Sequence, residues 1–195
     1  MARDNRSHTT RFTADAAVGV ARDSVRMFDE LIGSGRASYL NESRRIQALQ
    51  RLGEAHLKAG RLADARHSAD AALFGQRAIV AKNPGNSEER IKLVPILLLA
   101  GNVNAAYGNE EPAEKLLWEG RDEAQRIAKA GELTDVIPLS QAEQALGGFY
   151  AHHRRPDDAR ACYQSLAGLW QRYPQANEYV DRQKTLAASL LASVR

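Results

Sequence analysis

Apolar residues recur every three or four positions along most of this 195-residue chain, the spacing that lays them along one side of a helix. In "TADAAVGVARDSVRMFDELIGSG" the stripe is Val18, Val25, Phe28, Leu31 and Ile32, with Thr13 as an N-cap and Gly33 as a stop. After the loop "SGRASYL", Asn41 can cap a helix bearing Ile46, Leu49, Leu52 and His56, which Gly60 breaks. The next helix is expected from about Leu62 to Lys82, through Ala65, Ala72, Leu73, Ile79 and Val80. "NPGNS" has turn chemistry, because proline fixes φ while glycine and asparagine tolerate left-handed backbone. Ser87 is then expected to cap a helix running to Tyr107. "GNEEP" turns into a further helix over about Pro112–Ala130, and "GELTDVIP" reads as a connector. Leu139–His153 forms the next helix, and Pro156 opens another, with Asp157 and Asp158 suited to its dipole. The final stretch, "QANEYVDRQKTLAASLLASV", lines up Val180, Ala187, Leu190, Leu191 and Val194. Pro95 interrupts the helix begun at Ser87 and should kink it or delay its start. The apolar face nevertheless continues across it through Ile91, Val94, Leu97, Leu98 and Ala100.

Small residues punctuate these helices at a fixed offset. Gly53 precedes Ala65, Gly101 precedes Ala113 and Gly147 precedes Ala159, each by 12 residues, and successive units are spaced by 48 and 46. Gly60 and Gly108 fall at the turn of the first two units, where the third has Arg154. Pro84 and Pro174 close the first and third. Antiparallel helices approach closely only where side chains are small, so each glycine–alanine pair marks the crossing of a helical hairpin. A lone hairpin leaves an apolar face bare, and stacking on the next one buries it. The expected fold is therefore all-α, a solenoid of three hairpins (about 41–84, 87–131 and 138–174) within one domain spanning 13–195. An N-terminal helix and a capping helix at 176–195 flank it, and residues 1–12 read as a flexible polar arm.

At these positions the chain resembles the tetratricopeptide repeat family. "LQRLGEAHLKAGRLADARHSADAAL" matches its leucine–glycine pair, turn glycine and second-helix alanines, Ala65 and Ala72. His56 and Ala69 stand where the family usually has larger residues, whereas the third unit keeps aromatics as Tyr150 and Tyr163. The units exceed the family's usual length because each second helix runs on. That extended form, with the link "NPGNSEERIKL", is similar to arrays C-terminal in bacterial serine/threonine kinases and related signalling proteins. The resemblance covers about residues 41–195 and implies a protein-interaction module.

Composition adds constraints rather than a function. Few prolines (6) and 6% aromatics favour helix over sheet. The net charge of +3 is spread among interspersed acids, without the aromatic-interleaved basic stripe that nucleic-acid binding favours. The start has no apolar signal core, and no apolar run is long enough to span a membrane. The lone Cys162 cannot form an intramolecular disulfide, which fits the cytoplasm. An extracytoplasmic place remains open if the chain is excised from a membrane-anchored signalling protein. "GSG" at 33–35 lacks the strand and lysine of a phosphate loop, and no catalytic-loop asparagine or metal-binding DFG accompanies "ARDS" or "GRDE". The adjacent His152 and His153 diverge on a helix, and His56 and His67 lack a third ligand at metal spacing. Cys162 reads as a small buried hydrophobe, and Trp118, Trp170 and Tyr173 as core between units. Catalysis, a metal and a cofactor are accordingly not expected.

The remaining surface is the inner one. By repeat register the first helix of each hairpin presents Gln47, Gln50, Glu54 and Lys58, then Leu98, Asn102, Ala105 and Ala106, then Gln141, Gln144, Gly148 and His152. Amides dominate this set, and amides can bond an extended peptide backbone. The carboxylate clamp of chaperone-binding members of the family is not matched. Asn102 fits it, but Gln50, Glu54, Gln141 and Ala145 replace the other positions. The expectation is a non-catalytic protein- or peptide-binding scaffold, part of a bacterial signalling or regulatory assembly. The second reading, an effector-sensing regulator acting on nucleic acid, would need a helix-turn-helix or a basic stripe.

Overall fold

The computed structural model describes residues 4–128, 132–173 and 177–194, with side chains from residue 14. Every regular element among them is helical: α1 (Asp4–Leu31), α2 (Tyr39–Lys58), α3 (Leu62–Lys82), α4 (Ser87–Ala106), α5 (Glu110–Ile127), α6 (Leu133–His152), α7 (Pro156–Arg172) and α8 (Glu178–Ser193). Each helix packs on the next, and α4 also touches both α2 and α6. This is the nearest-neighbour stacking of an all-α solenoid, with α2–α3, α4–α5 and α6–α7 as its hairpins.

The glycine–alanine offset marks the crossings. Ala65, Ala113 and Ala159 are fully buried. A Cβ on Gly53 would lie 3.0 Å from the Leu99 side chain and 3.5 Å from the Ala65 carbonyl. On Gly101 it would lie 2.7 Å from Leu117 and 3.3 Å from the Ala113 carbonyl. The third crossing differs, since a Cβ on Gly147 would meet the Tyr163 ring at 2.3 Å. The three turns share one backbone solution: Gly60 (φ 72°), Gly108 (φ 78°) and Arg154 (φ 56°) are all left-handed. Arg154 thus keeps the shape of the turn without the residue type that adopts it freely.

Several boundaries move. Residues 4–12, expected as an arm, continue α1, while residues 1–3 lie outside the described residues. Ser38, not Asn41, caps α2 by accepting from the Asn41 N–H at 3.2 Å, while the Asn41 amide donates to the Arg36 carbonyl at 2.8 Å. Asn86, not Ser87, caps α4, accepting from the N–H groups of Glu88 and Glu89. α5 begins at Glu110 and ends at Ile127, three residues short of the expected Ala130. Most of the expected connector "GELTDVIP" is the first part of α6, which runs through Pro138. Pro95 is likewise accommodated inside α4, where its missing N–H leaves the Ile91 carbonyl without an intrahelical donor. Pro174 and the residues at 129–131 fall outside the described residues.

Two buried side-chain clusters join the units. Glu89, 2% exposed, accepts from Gln76 Nε2 at 2.8 Å, from Lys92 Nζ at 2.6 Å and from the Tyr39 hydroxyl. Burial pushes its carboxyl up, but the hydrogen bonds from Lys92, Tyr39 and Gln76 outweigh that and hold it below its ordinary range. At the other end the fully buried Trp170 donates from Nε1 to Ser140 Oγ at 2.9 Å. Its ring lies edge-on to Tyr173 and Tyr179, at centroid separations of 6.0 and 5.9 Å.

Candidate functional site

The first helices of the hairpins, α2, α4 and α6, stand side by side and leave a groove of about 620 Å³ along their shared face. Glu54, Lys58, Leu98, Asn102, Gln141, Gln144 and His152 all line it, as do Ala105, Ala106 and Gly148. The repeat register thus brings together ten of the twelve residues assigned to the inner surface, all but Gln47 and Gln50. Gln47 lines a neighbouring trough between α1 and α2. Gln50 lines neither, because it is half-buried and donates its amide to Glu54 Oε1 at 2.9 Å. That bond satisfies a donor which the sequence alone leaves free for a ligand.

The groove has a less polar character than its register positions imply. Leu57, Pro95, Leu99 and Phe149 join Leu98 in lining it. Leu98, Leu99 and Phe149 are buried, so they form a floor, with Asn102, Gln141 and Gln144 exposed along its edges. Leu57, Leu99 and Phe149 carry no distinguishing signal in sequence, since a leucine or phenylalanine in a helix reads as core. Pro95 does carry one: a proline inside a helix removes a backbone hydrogen bond and marks the helix as locally irregular there.

At one end of the groove the Phe149 ring sits 4.4 Å from that of His153. His153 Nδ1 lies 3.1 Å from Glu110 Oε1, and its Nε2 is buried with no hydrogen-bond partner among the described residues. His56, expected near the first turn, is buried away from the groove, and burial pushes its pKa down. Burial also pushes the Cys162 thiol up to about 11, so it is a protonated core side chain at neutral pH. Tyr150 is raised to about 12, first by burial and then by its hydroxyl's bond to Glu114. Trp170 and Tyr173 fill core, but Trp118 is 39% exposed, donating to the Tyr150 hydroxyl at 2.8 Å. Among the described residues no three His, Cys, Asp or Glu side chains are placed to share a metal ion. Nor is any described helix long and apolar enough to cross a membrane.

The second trough, of about 740 Å³, lies between α1 and α2. Glu54 and Lys58 line both depressions, so the two adjoin across α2. Its walls are small or apolar, including Ala16, Ala17, Val20, Ala48 and Phe28, and its α2 side adds Arg44 and Arg51.

No family model matches this chain, and no curated protein matches it. Among solved structures it is similar to BtubC (BKLC) from P. vanneervenii, with a TM-score of 0.54 at 11% identity, over 93% of this chain and 73% of that one. At that identity the likeness is one of fold.

Proposed function

We propose that this chain is a non-catalytic scaffold that binds an extended segment of a partner protein in the groove across α2, α4 and α6. The observation that carries this reading is the groove's composition: an apolar floor of Leu98, Leu99 and Phe149 edged by the exposed amides of Asn102, Gln141 and Gln144. An extended segment offers such a site two things at once, side chains for the floor and backbone groups for the amides. The resemblance to tetratricopeptide repeats supports the same reading and adds a setting, an interaction module of a bacterial signalling or regulatory assembly.

Gly148 provides the test. It lines the groove, and a Cβ built on it meets nothing within 4 Å. Gly148→Trp should therefore fill the groove without disturbing a hairpin crossing. Immobilised wild-type protein should capture a partner from a lysate of the source organism, and the filled variant should lose it while melting no lower. Capture that survives Gly148→Trp unchanged would place the binding surface elsewhere.

A further inference from the structure

We infer that the bound segment is acidic at one end, and that this end lies in the α1–α2 trough against Arg44, Arg51 and Lys58. The inference rests on the groove reading above and extends it to the chemistry of the partner. These three cations are spaced by seven residues along α2, which puts them on one edge of the helix about 10 Å apart. None has an ion-pair partner among the described residues, in contrast to the neighbouring Arg45 and Arg61, which pair with Asp29 and Asp15 at 2.5 and 2.7 Å. Glu54 is the one carboxylate among the described residues lining the trough, and it accepts the Gln50 amide. The trough thus carries net positive charge, three cations against one carboxylate, beside an apolar wall.

That wall selects the partner. Val20 is 70% exposed there, beside Ala16, Ala17 and Phe28, so the surface suits side chains as well as charges. A nucleic-acid backbone would gain from the cations but would leave this wall uncovered. An amphipathic acidic peptide uses both. In extended polyproline II geometry every third side chain falls on one face, about 9 Å apart, close to the spacing of the cations. The groove across α4 and α6 is different, since Asn102, Gln141, Gln144 and His152 offer no fixed positive charge. Because Glu54 and Lys58 border both depressions, a single segment can run from the charged trough into the neutral groove. The segment therefore has a polarity, acidic over α1–α2 and apolar over α4–α6.

The probe is a phage-displayed library of random peptides about 12 residues long, enough to span roughly 40 Å when extended. Panning on the wild-type protein should enrich peptides in which Asp or Glu recurs at three-residue intervals beside an apolar stretch. A synthetic copy of the best binder should then be titrated by fluorescence anisotropy. Its affinity should fall about tenfold or more with Arg44→Glu/Arg51→Glu, less with Arg44→Gln/Arg51→Gln, and progressively with added salt. Both arginines are exposed, so unchanged circular-dichroism melts should show that these variants fold. Enriched peptides without acids, or affinity indifferent to both substitutions, would overturn this inference alone, provided that Gly148→Trp still abolishes binding. Displacement of the peptide by a short single-stranded oligonucleotide would overturn it in favour of nucleic acid. A library that yields no binder would sink the groove reading together with it.

Discussion

Gln76, Ala124 and Trp170 each lie 23 residues beyond the crossing glycine of their unit, yet the first and last do opposite chemistry. Gln76 is 1% exposed and Trp170 fully buried, so both fill the space beneath the second helix of a hairpin. Gln76 fills it with a polar lock, reaching across to the Glu89 carboxylate and backbone carbonyl on α4. Trp170 fills it with ring area, spending its single N–H on Ser140. The register specifies a volume to be occupied and leaves the chemistry free, provided that every buried donor and acceptor finds a partner. The two ends of the array should consequently fail under different stresses.

The largest effect is expected from the aromatic end. Trp170→Ala should cost roughly 3–5 kcal/mol, because the cavity lies among Tyr173, Tyr179 and Ser140 rather than at a surface that can collapse. Urea denaturation measures this directly. A loss below about 1 kcal/mol would mean that the tyrosines close over the gap, and that ring area there is dispensable.

The polar end should respond to acid. The folded-state pKa of Glu89 lies below its ordinary value of 4.5, so its stabilisation is complete above that value and is lost as pH falls through the folded one. Wild-type protein should therefore lose denaturant resistance progressively as pH drops below 4.5. Glu89→Gln should cost roughly 1–3 kcal/mol at neutral pH, since an amide nitrogen replaces one of two acceptors facing Gln76, Lys92 and Tyr39. It should also flatten the acid limb. An acid limb as steep in Glu89→Gln as in wild type would assign that sensitivity to other carboxylates.

The smallest effect should be the most local. Gly147 and Gly148 are adjacent, but a Cβ on the first would press into the Tyr163 ring while one on the second meets open space. Gly147→Ala should cost roughly 1–3 kcal/mol by overpacking, whereas Gly148→Ala should gain up to about 1 kcal/mol from helix propensity. Thermal melts that move the two variants in the same direction would remove Gly147 from the crossing.

The hairpin crossings were legible in the sequence because they depend on a local spacing: Gly53, Gly101 and Gly147 announce themselves by being small inside helices. Helix starts were less so. Ser38 and Asn86 cap one to three residues before Asn41 and Ser87, and serine and asparagine suit a cap equally, so the choice falls to the chain's path. Pro138 suggested a connector because a proline inside a helix costs a hydrogen bond, a loss that α6 absorbs within its packing. For the groove, register predicted the exposed amides of Asn102, Gln141 and Gln144 and the side of each helix they occupy. It could not show that Gln50 turns aside to Glu54, which is a rotamer choice, nor that Leu57 and Phe149 border an opening. The α1–α2 trough is not legible for a similar reason, since Arg44 and Arg51 are charges on a helix face until α1 supplies the opposite wall.

Arg154 carries a consequence for the order in which the hairpins close. Gly60 and Gly108 enter the left-handed region without steric penalty, so the first two turns can form while their flanking helices are still fluctuating. Arg154 reaches the same geometry against the preference of an L-residue, and must be held there by contacts such as Tyr163 against Gly147. The α6–α7 turn should therefore form with docking rather than nucleate it. In kinetic terms, Arg154→Gly should relieve that strain in the folded state alone and so slow unfolding without changing the refolding rate, as stopped-flow measurements would show.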